Sequence, residues 1–152
     1  METLEIAIRL CAAAFVGVLL GLNRDLHGKQ TGVRTLGLVA LGSALAVLSV
    51  RHASAADASR VVQGIVTGVG FLGAGVIIRD SAGDHVRGLT TAACVWVTAC
   101  VGAGCAIADS RIILLGIVLV FVILIVGGPF EKAIRRRWPG SETSDPGKNG
   151  PL

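Results

Sequence analysis

Five apolar runs set the limits on what this chain can become: Leu4–Leu22, Val33–Val50, Val61–Ile78, Leu89–Ala108 and Ile112–Gly128. Each holds about 17–20 residues, and a helix crossing the hydrocarbon core of a bilayer needs ~20, with a range of roughly 17–25. The bilayer core has no water to satisfy backbone amides, so a run placed there closes its own hydrogen bonds as a helix. The links between the runs are short and polar. Only 16% of the 152 residues are charged and mean hydropathy is +0.74, whereas soluble domains carry roughly 25% charged residues. The expected fold is an all-α membrane protein, a bundle of about five transmembrane helices within residues 1–138. Residues 139–152, PGSETSDPGKNGPL, have the Pro, Gly, Ser and charge content of a disordered tail.

The chain opens Met1-Glu2-Thr3-Leu4-Glu5, acidic where a cleavable signal would be basic, so the first run reads as a retained helix. With five spans, Arg24, Lys29, Arg34, Arg79, Arg87, Lys132, Arg135, Arg136 and Arg137 fall on one side of the membrane. Arg9, Arg51, Arg60 and Arg111 fall on the other. The richer side marks the cytoplasm, which puts the N-terminus outside and the C-terminus inside. The net charge of +4 is spread along membrane edges rather than over one folded face, which excludes a nucleic-acid partner. Lys132–Trp138 suits either anionic headgroups, with Trp138 in the interfacial belt, or a docking partner.

Glycine dominates the third run. Gly64, Gly68, Gly70, Gly73 and Gly75 fall within twelve residues, and each would cost a soluble helix about 1 kcal/mol relative to alanine. In a bilayer they let helix backbones approach closely. Gly64, Gly68 and Gly75 lie within about 40° of one another around a helix, with Gly70 and Gly73 roughly opposite. Two small-residue faces predict a central place for span three. Gly17-x-x-x-Gly21 gives span one a close-contact face of its own. Gly68-Val69-Gly70-Phe71-Leu72-Gly73 also matches the G-x-G-x-x-G dinucleotide pattern. That pattern needs a preceding strand inside a βαβ unit, and here it lies within a run of membrane length.

The polar residues gather at the ends of the runs. The cytoplasmic edge holds Arg24, Asp25, Arg34, Thr35, Arg79, Asp80, Asp84 and Arg87, with His27, Lys29 and His85 beside them. These residues can form an ion-pair network locking the loops, a docking surface, or a cation or phosphate site. Thr90 and Thr91 open span four, where their hydroxyls either serve packing or line a polar crevice. Glu5 and Arg9, four apart, make either a local pair at the outer headgroups or the polar mouth of an internal path. Cys11, Cys94, Cys100 and Cys105 lie in apolar runs without zinc-type spacing and read as small packing residues. Nothing in the pattern forms a nucleophile–base pair, a metal quartet or a phosphate loop, so neither an enzyme nor a bound cofactor is expected.

Three ordered motifs carry a family resemblance: Gly32-Val33-Arg34-Thr35 after the Arg24-Asp25 pair, Gly68-Val69-Gly70-Phe71-Leu72-Gly73-Ala74-Gly75, and Val86-Arg87-Gly88-Leu89-Thr90-Thr91-Ala92-Ala93 followed by Trp96. Over about residues 4–128 the chain resembles the MgtC/SapB family. The resemblance implies a multi-pass protein of the bacterial inner membrane, linked to growth under magnesium limitation and, in pathogens, to survival inside phagocytes. It implies regulation of other membrane proteins, among them the F-type ATP synthase. Many members carry a C-terminal soluble domain, which this sequence is expected to lack.

Two functions follow as expectations. The first is a regulator that acts by helix–helix and loop contacts on another membrane protein or a second copy of itself. The second is a transporter or channel for Mg²⁺ or another cation, which should place carboxylates at mid-span. None of the ten acidic residues stands there, and this favours the regulator.

Overall fold

A computed structural model describes residues 2–79 and 86–137. Five helices account for nearly all of them: α1 Thr3–Leu26, α2 Val33–Ser49, α3 Ala55–Gly75, α4 Leu89–Ile107 and α5 Ser110–Arg137. Between α3 and α4, two-residue strands β1 (Ile78–Arg79) and β2 (Val86–Arg87) pair antiparallel, Ile78 opposite Arg87 and Arg79 opposite Val86. The chain divides into two units at Ile117. Asp80–His85 and the tail 138–152 lie outside the described residues, and with them the expected disordered segment.

Among the described residues three helices are long and apolar enough to cross a membrane: Thr3–Leu26, Leu89–Ile107 and Ser110–Phe130. The chain is therefore a multi-pass membrane protein. At 17 residues α2 is a shorter apolar helix, ~25 Å long at 1.5 Å per residue. The 21 residues of α3 begin with a polar turn carrying Asp57 and Arg60.

Several helices run past the apolar runs. α1 continues to Leu26, and α3 starts at Ala55 rather than Val61 because Ser54 caps it. The Ser54 hydroxyl accepts from the Asp57 amide at 3.2 Å and donates to the Asp57 carboxylate at 2.7 Å, satisfying one orphan donor of the first turn. At its other end α3 stops at Gly75, short of Ile78, which joins the ladder instead. The Asp109 carboxylate accepts from the Arg111 amide at 2.9 Å and so caps α5.

Within the first unit the packed centre is formed by α1, α2 and α4. α1 buries Ala13, Val16, Gly17, Leu20, Gly21 and Arg24, a stripe at helical spacing. α2 buries Leu36, Ala40, Ser43, Ala44, Val47 and Leu48. α4 buries nine residues, most of them small. A Cβ at Gly17 would stand 2.5 Å from the Leu36 carbonyl oxygen and 2.8 Å from the Ala40 Cβ. One at Gly102 would stand 2.6 Å from the Ala40 Cα. Ala40 is thus clamped between a glycine of α1 and a glycine of α4, at backbone-to-backbone distance.

This corrects the central place expected for span three. α3 leans mainly on α4 and buries only Val69 and Gly73 among its residues. Glycine permits close approach without selecting a neighbour. The row Ala99, Gly102, Ala103, Ala106 provides that face on α4 instead.

Candidate functional site

α1 and α4 run antiparallel, and polar groups meet at both ends of the pair. At one end the Arg9 guanidinium donates to the carbonyl oxygens of Cys105 (3.2 Å) and Ala106 (3.0 Å), in the last turn of α4. Glu5 accepts from Arg9 at 3.2 Å, one turn back along α1. A cation on the last carbonyls of a helix satisfies orphan acceptors and complements the negative end of the dipole. Of the two expectations for this pair, the local one describes the contacts among the described residues, extended by a cap on α4 that residue spacing alone does not show.

The other end carries the candidate cluster. Arg24, in the last turn of α1, is buried, and its Nη2 donates to the Thr91 hydroxyl in the first turn of α4. Asp25, next along, is exposed and turned the other way. Its carboxylate accepts from the Val33 amide at 3.0 Å and caps the start of α2, whose N-cap Gly32 has no side chain to do so. A Cβ at Gly32 would fall on that carboxylate, so glycine is what lets Asp25 reach the amide. Gly21, one turn before Arg24, lies against Val33, with a Cβ there placed 2.7 Å from the Val33 nitrogen. The Arg24-Asp25 pair and the Gly32-Val33 motif are therefore one structural joint.

Arg34 and Thr35 follow in the first turn of α2 and are exposed. Thr90 is exposed and Thr91 buried, so the two threonines have separate surroundings. Arg87 is exposed at the end of the ladder. Gly88, the N-cap of α4, has φ +94°, and a Cβ there would strike the Val76 carbonyl. Both constraints reserve the position for glycine. Arg79 contributes its backbone to the ladder, while Asp80 and Asp84 lie outside the described residues. Among the described residues the Arg9–Glu5 bridge is the single salt bridge. The carboxylate of Asp25 serves a backbone amide rather than an ion-pair network.

The packing glycines divide. Gly17 and Gly21 meet α2 at backbone distance, and a Cβ at Gly73 would stand in ordinary contact with the Ala92 Cβ, at 3.5 Å. A Cβ at Gly64, Gly68, Gly70 or Gly75 would meet nothing within 4 Å. Gly64 and Gly68 instead face an open groove of about 370 Å³ between α2 and α3, lined also by Leu38, Gly42, Ser43 and Leu72. On α5, Ile112, Leu114, Leu115, Leu119 and Ile123 are exposed.

The sequence compares closely with known proteins. It is 39% identical over 152 residues to protein SrpB of Synechococcus elongatus, covering 90% of this chain and 81% of that protein. It is 41% identical over 104 residues to protein MgtC of Salmonella typhimurium, covering 68% of this chain and 44% of that protein. With YhiD of Escherichia coli K12, which carries a provisional designation as a magnesium transporter, it shares 42% identity over 111 residues, or 66% of this chain and 50% of that protein. The chain thus spans about half the length of MgtC and YhiD. No solved structure matches it. The profile of the MgtC family matches residues 10–133, which take in the Arg24–Thr91 contact and the α1–α2 joint, and the chain belongs to that family.

Proposed function

We propose that this protein is a non-enzymatic component of the bacterial inner membrane that supports growth under magnesium limitation by regulating another membrane protein through helix contact. In this reading α2 and α3 join α1, α4 and α5 as spans, with the N-terminus outside and the C-terminus cytoplasmic. The observation that carries the reading is the contrast between two sets of glycines. Gly17, Gly21 and Gly102 are consumed in a closed α1–α2–α4 centre lined by alanine, valine and leucine. Gly64 and Gly68 on α3 are left facing an open apolar groove. Backbone exposed at a small-residue face is what a second membrane helix needs for close approach. The partner is another membrane protein, with the F-type ATP synthase the candidate implied by the family resemblance, or a second copy of the chain. A role in virulence would follow from the same regulation.

The rival reading, transport of Mg²⁺ or another cation, draws on the designation of YhiD. A hard cation needs several oxygen ligands along its path. Among the described residues no three His, Cys, Asp or Glu side chains gather. Reconstitution separates the two. Proteoliposomes containing only this chain are expected to show no Mg²⁺ flux above empty vesicles, and a membrane protein is expected to co-purify with wild type but not with Gly64→Leu. Flux that is lost in Asp25→Ala or Asp80→Ala would overturn regulation as the main function.

A further inference from the structure

Arg24 is the single charged side chain that the fold takes out of solvent among the described residues, at 4% exposure. A guanidinium offers five N–H donors. Here Nη2 donates to Thr91 Oγ1, a neutral acceptor, and Nε is buried with no partner. The adjacent carboxylate of Asp25 is engaged at the Val33 amide. Among the described residues no carboxylate meets the guanidinium, and a cation removed from water without a counter-charge carries a large desolvation cost.

The place to which Arg24 is held makes this sharper. Thr91 lies in the first turn of α4, a 19-residue helix with no side-chain cap and no acidic residue in its first turn. The Ala92 amide closes a helical hydrogen bond on the Gly88 carbonyl at 2.8 Å. The amides ahead of it have no acceptor within the helix. A helix start carries roughly half a positive charge, so dipole and guanidinium meet with the same sign. The C-terminus of α1 offers little relief, since the Arg24 carbonyl already accepts from the His27 and Lys29 amides. Arg87, just before Gly88, adds a further exposed positive charge.

The geometry points to an oxyanion site of the phosphate class at the start of α4, with Arg24 and the first-turn amides as donors and Thr91 as the hydroxyl shared between them. A phosphate group suits it because its several oxygens can face a guanidinium fork and helix amides together. The same chemistry is offered by the phosphate of an anionic lipid headgroup and by free phosphate. The site holds equally for a regulator and for a transporter.

Thermal unfolding of the full chain in lipid-free maltoside micelles tests it in two arms. One replaces chloride by inorganic phosphate at constant ionic strength, and the other adds phosphatidylglycerol without phosphate. A ligand that binds the folded state raises Tm, here by roughly 2–4 °C. A rise in the first arm alone assigns free phosphate, and a rise in the second alone assigns the headgroup. Arg24→Gln is expected to lose the response. Thr90→Asp, which puts a carboxylate on the exposed side of the same turn, is expected to raise Tm without either probe and to abolish the response. No rise in wild type with either probe, or an undiminished rise in Thr90→Asp or in a folded Arg24→Gln, overturns the site.

Discussion

Ala40 held between two glycines gives the most direct test of how this bundle closes. In Gly17→Ala the new Cβ would stand 2.5 Å from the Leu36 carbonyl oxygen, where 3.4 Å is the near limit of ordinary contact, so the helices must part locally by about 0.9 Å. A radial gap of ~0.5–1 Å forfeits a quarter to a half of each affected dispersion contact, and overpacking of a tight core typically costs about 1–3 kcal/mol. Alanine returns up to about 1 kcal/mol of helix propensity, leaving a net loss of about 1–2 kcal/mol. Gly102→Ala meets Ala40 from the other side and should lose a similar amount. The double variant should fall short of the sum, because both changes push the same residue.

Gly64→Ala and Gly68→Ala reverse the sign. A Cβ there meets nothing within 4 Å, so only the gain in helix propensity remains, about 0.5–1 kcal/mol. Reversible unfolding of the isolated chain by detergent titration measures all four variants on one scale. Ala40→Gly should not rescue Gly17→Ala, because the Leu36 carbonyl is backbone and stays in place. The reasoning fails if Gly17→Ala and Gly102→Ala are as stable as wild type, or if the α3 variants fall with them.

Substitutions at further positions are open to the same unfolding measurement. Asp25→Ala should cost about 1 kcal/mol by uncapping α2, with Asp25→Asn in between because its side-chain oxygen still accepts from Val33. Arg9→Ala should cost about 1–2 kcal/mol by stripping the last carbonyls of α4, whereas Glu5→Gln, which leaves those bonds intact, should cost less than half of that. Gly88→Ala should lose about 2 kcal/mol or more, since strain at φ +94° adds to a collision with the Val76 carbonyl. Gly28→Ala has φ +62° but no neighbour within 4 Å, and should lose only about 1 kcal/mol.

The helices were legible in the apolar runs because a bilayer leaves an apolar segment of that length few alternatives. Their ends were less so. Ser54 extends α3 by hydrogen bonding and Ile78 leaves it for the ladder, and neither effect shows in a hydropathy pattern. Gly17 and Gly21 could be read as a contact face, but not the residue they close on, because a glycine has no shape to match. The small-residue row of α4, Ala99, Gly102, Ala103 and Ala106, has no shape of its own either, and only the approach of Gly102 to Ala40 marks it as the packed face. At the end of α1, adjacency in sequence hides separate roles. Arg24 turns inward to α4 while Asp25 turns to the start of α2, and only the fold separates an ion pair from two unrelated contacts.

Arg9 and Arg24 show why the sign of a helix end matters more than the count of charges near it. They stand fifteen residues apart on α1, ~22 Å along its axis, and each reaches one end of the antiparallel α4. At the C-terminal end the arginine faces carbonyls, and charge, dipole and hydrogen bonding agree. At the N-terminal end an equal charge meets the positive end of the dipole, and its hydrogen bond goes to the Thr91 hydroxyl, a neutral acceptor. Helix propensity and apolar packing are indifferent to this asymmetry, so neither accounts for an arginine buried there. Leucine or methionine at position 24 would fill the same space without the desolvation cost. Its presence is explained if the start of α4 has an anion to hold, which makes this end of the α1–α4 pair, rather than the helix interiors, the place where the protein meets a charged ligand.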